Sequence, residues 1–557
     1  MKLKYLSILL IAMVILPAYQ NVTDEATNNP SAWAESEINT AIEENLAPNY
    51  LQCNYTQPAT RAEFCALAIT LYETVKSIEI TERKTFDDTI DTNVEKAAAV
   101  GIVLGTGNNN FSPDEKLTRE QGATMLSRLA DFLDSPLPKH EVTFTDKNYI
   151  SSWALESVGQ VQALGIMKGT GSNLFSPKDQ YTREQSIITM LRLCDAINGF
   201  LIKVGVNYEL SGAVADYGSR IVKGLNMAIK EINDGGGVNG KMIKLITADN
   251  KSDSAEAASI ATRLMSQDKV VACLGPATSG NFRETISSAQ AHGVPVISAT
   301  ATADGLTFDA NGNVYDYAFR VCFSDSFQGV TLANFAINNL KAQKTAIYKD
   351  TSSNYAKGLA ESFRKTFEKL GGFIVAEEGF VSRETDFRAV LTGLKEKGFD
   401  VLFVPGYYDE AGLIIAQARE LGIMVPILGA DGFDSPTLRE LAGDVALSNV
   451  YFSSHYSLLD KEPMVLDFII KWGAANNGEY PNAFHALGYD HGKFIGDAIK
   501  RAGSDDRKAI RDALALTQNF VGVTGTFSVG PDHNPVKSVV IIELENGLEV
   551  SAVKIAP

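Results

Sequence analysis

The chain has 557 residues, which at about 150 residues per domain predicts three to four domains. Acidic side chains number 67 against 50 basic ones, a net charge of −17, and 21% charged with 45% hydrophobic residues is the balance of a globular protein, which excludes a disordered or fibrous chain. An isoelectric point near 5.0 and the lack of any dense Lys/Arg block exclude nucleic acid as a partner. Five Cys at irregular spacing, with no C-x-x-C, fit neither a disulfide scaffold nor a zinc module.

Lys2 and Lys4 precede an apolar run from Leu6 to Leu16 that ends at Pro17 and Ala18, the layout of a secretory signal. The run is well short of the ~20 residues that span a bilayer, so residues 1–26 read as a signal peptide cut between Ala18 and Ala26.

A repeat follows. Gly101-Ile102-Val103-Leu104-Gly105-Thr106-Gly107, Phe111-Ser112-Pro113 and Thr118-Arg119-Glu120-Gln121 recur 64 residues later as Gly165-Ile166-Met167-Lys168-Gly169-Thr170-Gly171, Phe175-Ser176-Pro177 and Thr182-Arg183-Glu184-Gln185. A degenerate copy ends in Thr60-Arg61-Ala62-Glu63. Thr60, Thr118 and Thr182 each predict a helix start, closed by Glu63, Gln121 and Gln185 in a capping box. Leu126, Leu129, Ala130 and Leu133 then form one buried helix face. Capping does not explain Arg61, Arg119 and Arg183, because a cation at the first helical position opposes the helix dipole and suggests an anion to be met.

Together with the openings Phe86 to Asp88 and Phe144 to Asp146, these motifs resemble S-layer homology domains, at 30–76, 84–135 and 142–197. The first unit opens with Trp33 in place of Phe-x-Asp and has a short loop from Gln52 to Pro58. The resemblance implies a mostly helical three-unit assembly that binds acidic secondary cell-wall polysaccharide through Arg61, Arg119 and Arg183, and hence a secreted, cell-surface protein.

From Leu201 short apolar runs alternate with amphipathic stretches. Strands are predicted at Ile202–Tyr208, Met242–Ala248, Val270–Leu274, Val294–Ser298, Thr345–Tyr348, Val401–Val404 and Pro426–Leu428, with a helix over Gly218–Asn233. This predicts an α/β fold with parallel sheets in two lobes. Ligands in such folds lie beyond the carboxyl ends of the strands. There stand the Gly275–Gly280 loop at a helix start, Thr300 and Thr302, Tyr407, and Asp431: donors for a carboxylate and a carboxylate for a cation, the complement of a zwitterion.

Residues 201–557 resemble type I periplasmic-binding proteins of the leucine/isoleucine/valine-binding family. The stretches that carry this are Ser211-Gly212, Tyr217-Gly218, Ile232 to Lys241, Ala299 to Thr302, Tyr355 to Gly358, Gly406-Tyr407 and Gly429 to Gly432. The resemblance implies a Venus-flytrap receptor with lobes at 201–321 plus 451–526 and 322–450 plus 527–557, hinged near Val321, Val450 and Thr526–Ser528. It places an α-carboxylate on Ser279, Thr302 and the main chain near Ala277, and an α-ammonium on the Thr300 carbonyl, the Thr302 hydroxyl and Asp431. Tyr217, Tyr355 and Tyr407 would wall the cleft. Some relatives carry Glu where Asp431 stands.

Catalytic signatures are scarce. There is no G-x-S-x-G. Gly235 to Lys241 misses a phosphate loop because Met242 stands where Ser or Thr is required. His485 and His491, six apart on one helix, do not converge on a metal with Asp490, and Glu377-Glu378 reads as a solvated pair. No cofactor, metal or catalytic residue is expected. The reading is a wall-anchored receptor that passes a branched-chain or aliphatic amino acid to an ABC permease. The alternatives are an amide, urea or short-peptide receptor or sensor on the same scaffold, and a wall-bound hydrolase.

Overall fold

The computed structural model describes residues 29–76, 78–199 and 201–557, so the assigned signal peptide lies outside the described residues. The chain divides into two compact units at Phe200/Leu201.

In the first unit the capping boxes form as the motif predicts: Thr60 with Glu63, Thr118 with Gln121 and Thr182 with Gln185 bond reciprocally. They open the long helices of three pairs, α1 (Glu35–Glu43) with α2 (Arg61–Lys76), α3 (Thr92–Ala99) with α4 (Arg119–Phe132), and α5 (Leu155–Ala163) with α6 (Arg183–Gly199). Leu126, Leu129, Ala130 and Leu133 are buried. The three long helices touch one another, and each also packs on the short helix of another pair: α2 on α3, α4 on α5, α6 on α1. Backbone bonds close the ring. Ala59 N donates to Tyr181 O at 2.8 Å, Tyr181 N to Leu117 O at 2.8 Å, and Leu117 N to Ala59 O at 3.0 Å. Residues 30–76 thus occupy one third of a cyclic arrangement although they lack the Phe-Ser-Pro loop.

In the second unit, β1 (Leu201–Tyr208), β2 (Met242–Asp249), β3 (Ala272–Leu274), β4 (Val296–Ser298) and β5 (Ala318–Arg320) form a parallel sheet in the order β2-β1-β3-β4-β5. Its crossovers are α7 (Ala215–Asp234), α8 (Ser254–Ser266) and α9 (Ser279–His292). The chain then builds a second lobe from α10 (Asp325–Asn338), β6 (Lys344–Asp350), α11 (Asn354–Lys369), β7 (Phe373–Phe380), α12 (Arg388–Lys395), β8 (Val401–Phe403), α13 (Tyr408–Glu420), β9 (Ile427–Gly429), α14 (Pro436–Ala442) and β10 (Val450–Ser454). It returns to lobe one through α15 (Pro463–Ala475), α16 (Ala483–Ala502), α17 (Arg507–Ala515) and the small sheet β11 (Phe520–Gly522), β12 (Gly525–Val529) and β13 (Pro535–Val536). Strands β14 (Val539–Glu545) and β15 (Leu548–Ile555) complete the second sheet, β15-β14-β10-β9-β8-β6-β7, antiparallel only at β14 and β15.

Two of the three expected hinge positions shift. Val321 follows β5, but β10 pairs with β9 over Val450–Phe452 and with β14 over Val450–Ser454, so the second crossing comes after Ser454 rather than at Val450. The segment 527–536 belongs with lobe one. Its Asn534 accepts from Arg320 at 2.7 Å, His533 stacks on Phe319, and Phe527 packs on Phe494 of α16. The third crossing therefore lies between Val536 and Val539.

Helices α7 and α16 cross at a backbone-on-backbone contact that only glycine permits. A Cβ on Gly224 would stand 2.0 Å from His485 O, and one on Gly488 2.0 Å from Ile221 O. This close crossing brings Tyr217 of α7 and Phe484 of α16 into a stack, with centroids 4.4 Å apart.

Candidate ligand-binding sites

The cleft between the lobes is lined by Tyr217, Ala277, Thr278, Ser279, Thr300 and Phe484 of lobe one and by Tyr355, Tyr407, Asp431 and Gly432 of lobe two. The space left between these atoms is small. Every cleft residue predicted from sequence lines it except Thr302, which is buried just behind, beside Asp325.

On the lobe-one wall the loop after β3 is held by Glu209, which sequence reading missed. This fully buried carboxylate accepts from Ala277 N (2.9 Å), Thr278 N (3.2 Å), Thr278 Oγ1 (3.0 Å) and Asn281 Nδ2 (2.8 Å). The consequence for Ala277 is that its main chain is occupied on both sides, since its carbonyl accepts from Thr300 Oγ1 at 2.8 Å. The consequence for Thr278 is that its hydroxyl does not cap α9, and the helix begins without a side-chain cap. Uncapped N–H groups at a helix start, with the Ser279 hydroxyl beside them, attract an anion. Ser279 Oγ itself accepts from Ala303 N at 3.1 Å.

The lobe-two wall brings a carboxylate to the cleft. Asp431 opens a short 3₁₀ turn after β9. Its Oδ1 accepts from Tyr355 Oη at 2.8 Å, its main-chain N donates to Gln328 Oε1 at 3.3 Å, and His455 Nε2 stands 3.5 Å from Oδ2. Tyr355 and Tyr407 stack with planes 7° apart. Burial pushes the phenols of Tyr217, Tyr355 and Tyr407 well above their ordinary range, so all three remain donors.

The lobes are closed on each other. Tyr217 Oη donates to Gly432 O at 2.5 Å, Ser435 Oγ to Asp216 Oδ2 at 2.7 Å, and Asn482 Nδ2 to Asp434 O at 3.0 Å. A Cβ on Gly432 would stand 2.8 Å from Gly406 O within the same lobe and 3.3 Å from Tyr217 Oη across the cleft, so glycine fits this turn and leaves room for the closing tyrosine. Donors on one wall and a carboxylate on the other can grip a small molecule by its anionic and cationic ends.

His485, Asp490 and His491 have other tasks. His485 Nδ1 closes the capping box of α16, His491 Nδ1 meets Tyr208 Oη at 3.0 Å, and Asp490 accepts from Val523 N and Thr524 N. Glu377 and Glu378 are exposed on β7, and Glu377 pairs with Lys349.

In the first unit the three arginines reach loops of other repeats. Arg61 Nε donates to Phe111 O at 3.1 Å and Nη2 to Leu104 O at 3.0 Å; Arg119 makes the same bonds to Phe175 O and Lys168 O, both at 2.7 Å. Each guanidinium also lies over the Phe of that loop. Asp88 and Asp146 of the Phe-x-Asp openings accept from the Phe and Ser amides of the same loops. Arg183 has no such Phe to meet and bonds to Cys53 O and, at 2.6 Å, to Glu63. Arg119 in addition lines a cavity with Trp33, Glu37, Lys168, Tyr181 and Arg192. Arg192 pairs with Glu37 through two bonds of 2.6 Å, which leaves Arg119 and Lys168 as excess positive charge.

Two lobes of parallel sheet closed on a charged cleft define a solute-binding protein. Residues 201–548 match the family described as periplasmic binding protein, and the chain belongs to that family, with its type I fold. Residues 87–122 and 143–185 match the S-layer homology domain. A Leu/Ile/Val-binding protein homolog of Brucella abortus is 30% identical over 352 residues, covering 62% of this chain and 91% of the relative. The branched-chain amino acid transporter substrate binding protein of Streptococcus pneumoniae, solved in complex with isoleucine, is 43% identical, covers 64% of this chain and 100% of that one, and superposes with a TM-score of 0.61. A leucine binding protein of Thermotoga maritima is 32% identical over 64% of this chain and 99% of that one, with a TM-score of 0.60.

Proposed function

We propose that this chain captures a branched-chain or aliphatic amino acid outside the cell membrane and passes it to an ABC permease, while its N-terminal unit holds it to an acidic polysaccharide of the cell wall. The observation that carries the ligand reading is the pairing of an uncapped α9 start with Asp431 across a small closed cleft. The ligand carboxylate meets Ser279 and the first N–H groups of α9. Its ammonium meets Asp431 and the Thr300 carbonyl, with the Thr302 hydroxyl behind. Tyr217, Tyr355, Tyr407 and Phe484 enclose the aliphatic side chain, in keeping with the isoleucine of the Streptococcus relative. No step of the cycle makes or breaks a covalent bond.

For the wall, the cavity of Trp33, Arg119 and Lys168 supplies an aromatic face and positive charge for a sugar acid. Arg61 and Arg183 support the ring that shapes such surfaces. The export signal read at 1–26 and residues 30–76 as a third S-layer homology unit complete this reading.

A thermal-shift panel tests the ligand class. Leucine, isoleucine or valine is expected to raise the melting midpoint by several degrees, since bound ligand stabilises the folded state by mass action. A shift with amides, urea or short peptides instead transfers the protein to that class of receptor. Co-sedimentation with purified cell wall tests the anchor, and a chain that stays in the supernatant contradicts it.

A further inference from the structure

His455 stands where the crossings between the lobes converge. It follows β10 at the second crossing, and its ring lies on Phe323, just past the first, with centroids 3.6 Å apart and planes 12° from parallel. Lys537, on the third crossing, is buried and donates to Val321 O at 3.2 Å. The imidazole is 1% exposed, yet neither ring nitrogen closes a hydrogen bond of normal geometry. A buried polar group left in that state costs free energy, so its position calls for a use. Nε2 points the way, 3.5 Å from Asp431 Oδ2, while Oδ1 of the same carboxylate is engaged by Tyr355. Burial, opposed by Asp431, lowers the imidazole pKa to about 4. The ring is therefore neutral at neutral pH and can carry its one proton on Nε2.

We propose that His455 is a positioning residue for the ligand's cationic end: Nε2–H donates to Asp431 Oδ2 when a ligand occupies the closed cleft and fixes that carboxylate with its remaining lone pairs toward an ammonium group there. This rests on the amino-acid reading above. Gln328 braces the same turn from its main-chain side, accepting from Asp431 N at 3.3 Å and from Ser453 Oγ at 2.7 Å. Asp431 is thereby held by three groups, Tyr355, Gln328 and His455, and the last of these also sits on a hinge segment. Occupancy of the cleft and the geometry of the crossings then share one ring.

The test is calorimetry of L-isoleucine binding to the full chain. His455→Phe keeps the stack on Phe323 and removes the N–H; it is expected to weaken binding about tenfold, the usual effect of one hydrogen bond to a charged group. His455→Gln, which retains a side-chain N–H donor, is expected to stay within about threefold of the natural chain. In an Asp431→Asn background His455→Phe is expected to add less than about twofold, because residues that act through one another are not additive. Equal losses in the Phe and Gln variants, no loss in either, or a full loss that persists in the Asp431→Asn background overturns the proposal. A measurement that needs no variant uses the chain labelled with ¹⁵N-histidine. An Nε2–H tautomer of His455 whose signal moves on adding isoleucine supports the proposal, and an Nδ1–H tautomer or an unmoved signal overturns it. Failure of the natural chain to bind isoleucine is seen before any variant is compared and overturns the amino-acid reading itself.

Discussion

The Tyr217 hydroxyl in lobe one donates to the Gly432 carbonyl in lobe two at 2.5 Å, one residue past the carboxylate of Asp431. The bond therefore reports closure at the point where the cleft carries its negative charge. Tyr217→Phe keeps the stack on Phe484 and deletes this bond, a net effect of about 1 kcal/mol. Ligand affinity is expected to fall several-fold, almost entirely through faster dissociation. Stopped-flow release of a bound amino acid checks this, and an unchanged off-rate contradicts it.

Glu209 is fully buried and satisfies four donors of the 277–281 loop. Glu209→Leu leaves all four without a partner, which is expected to destabilise the second unit by about 3–5 kcal/mol. Glu209→Gln keeps an acceptor oxygen and is expected to cost about half of that. Urea midpoints rank the three chains, and a Leu variant as stable as the natural protein refutes the role.

Two buried groups titrate with opposite sign. Burial lowers His491 to about 3, below its unfolded value, so its contribution is present above about pH 6.5 and is lost as the pH falls toward 3, by about 1.4 kcal/mol per pH unit. His491→Asn is expected to flatten that acid limb. Burial raises Asp434 to about 7, so its stabilising effect holds below about pH 4 and is lost as the pH rises through 7. Asp434→Asn is expected to gain stability relative to the natural chain over that rise. Denaturant titrations from pH 4 to 8 read both slopes, and parallel curves for natural chain and variants contradict the assignment.

Arg61 and Arg119 make the same pair of carbonyl bonds in the first unit, but only Arg119 lines the cavity with Trp33. Replacing either by Ala frees two carbonyls and is expected to cost that unit about 2 kcal/mol. Wall binding at a temperature where both variants are folded is expected to fall much further for Arg119→Ala. Equal binding by the two variants removes Arg119 from the polymer contact.

The local physics of this chain was readable in its sequence. Thr118 and Gln121 stand three apart and close a capping box without help from elsewhere. Strand–helix alternation placed Thr300, Tyr407 and Asp431 at strand ends because a parallel sheet puts every such end on one side. Groups that depend on distant partners were not readable. Glu209 is a lone carboxylate after β1 whose role appears only when β3 pairs beside that strand and delivers Ala277 and Thr278. Phe484 meets Tyr217 because Gly224 and Gly488 let two helices touch, a contact between segments more than 260 residues apart. The second hinge position slipped for the same reason, since β10 extends to Ser454 by pairing with β14, a strand nearly at the end of the chain. The arginines suggested an anion by their helix position, and part of the explanation is instead carbonyls of the next repeat.

The most direct measurement is isothermal calorimetry of L-isoleucine on the full chain, refolded to remove carried ligand, beside Asp431→Asn. Binding at a Kd of roughly 1 μM or tighter, with a loss of at least about tenfold in the variant, is the expected result. No isoleucine heat, or equal affinity in the two chains, would contradict the reading of the cleft as a zwitterion clamp.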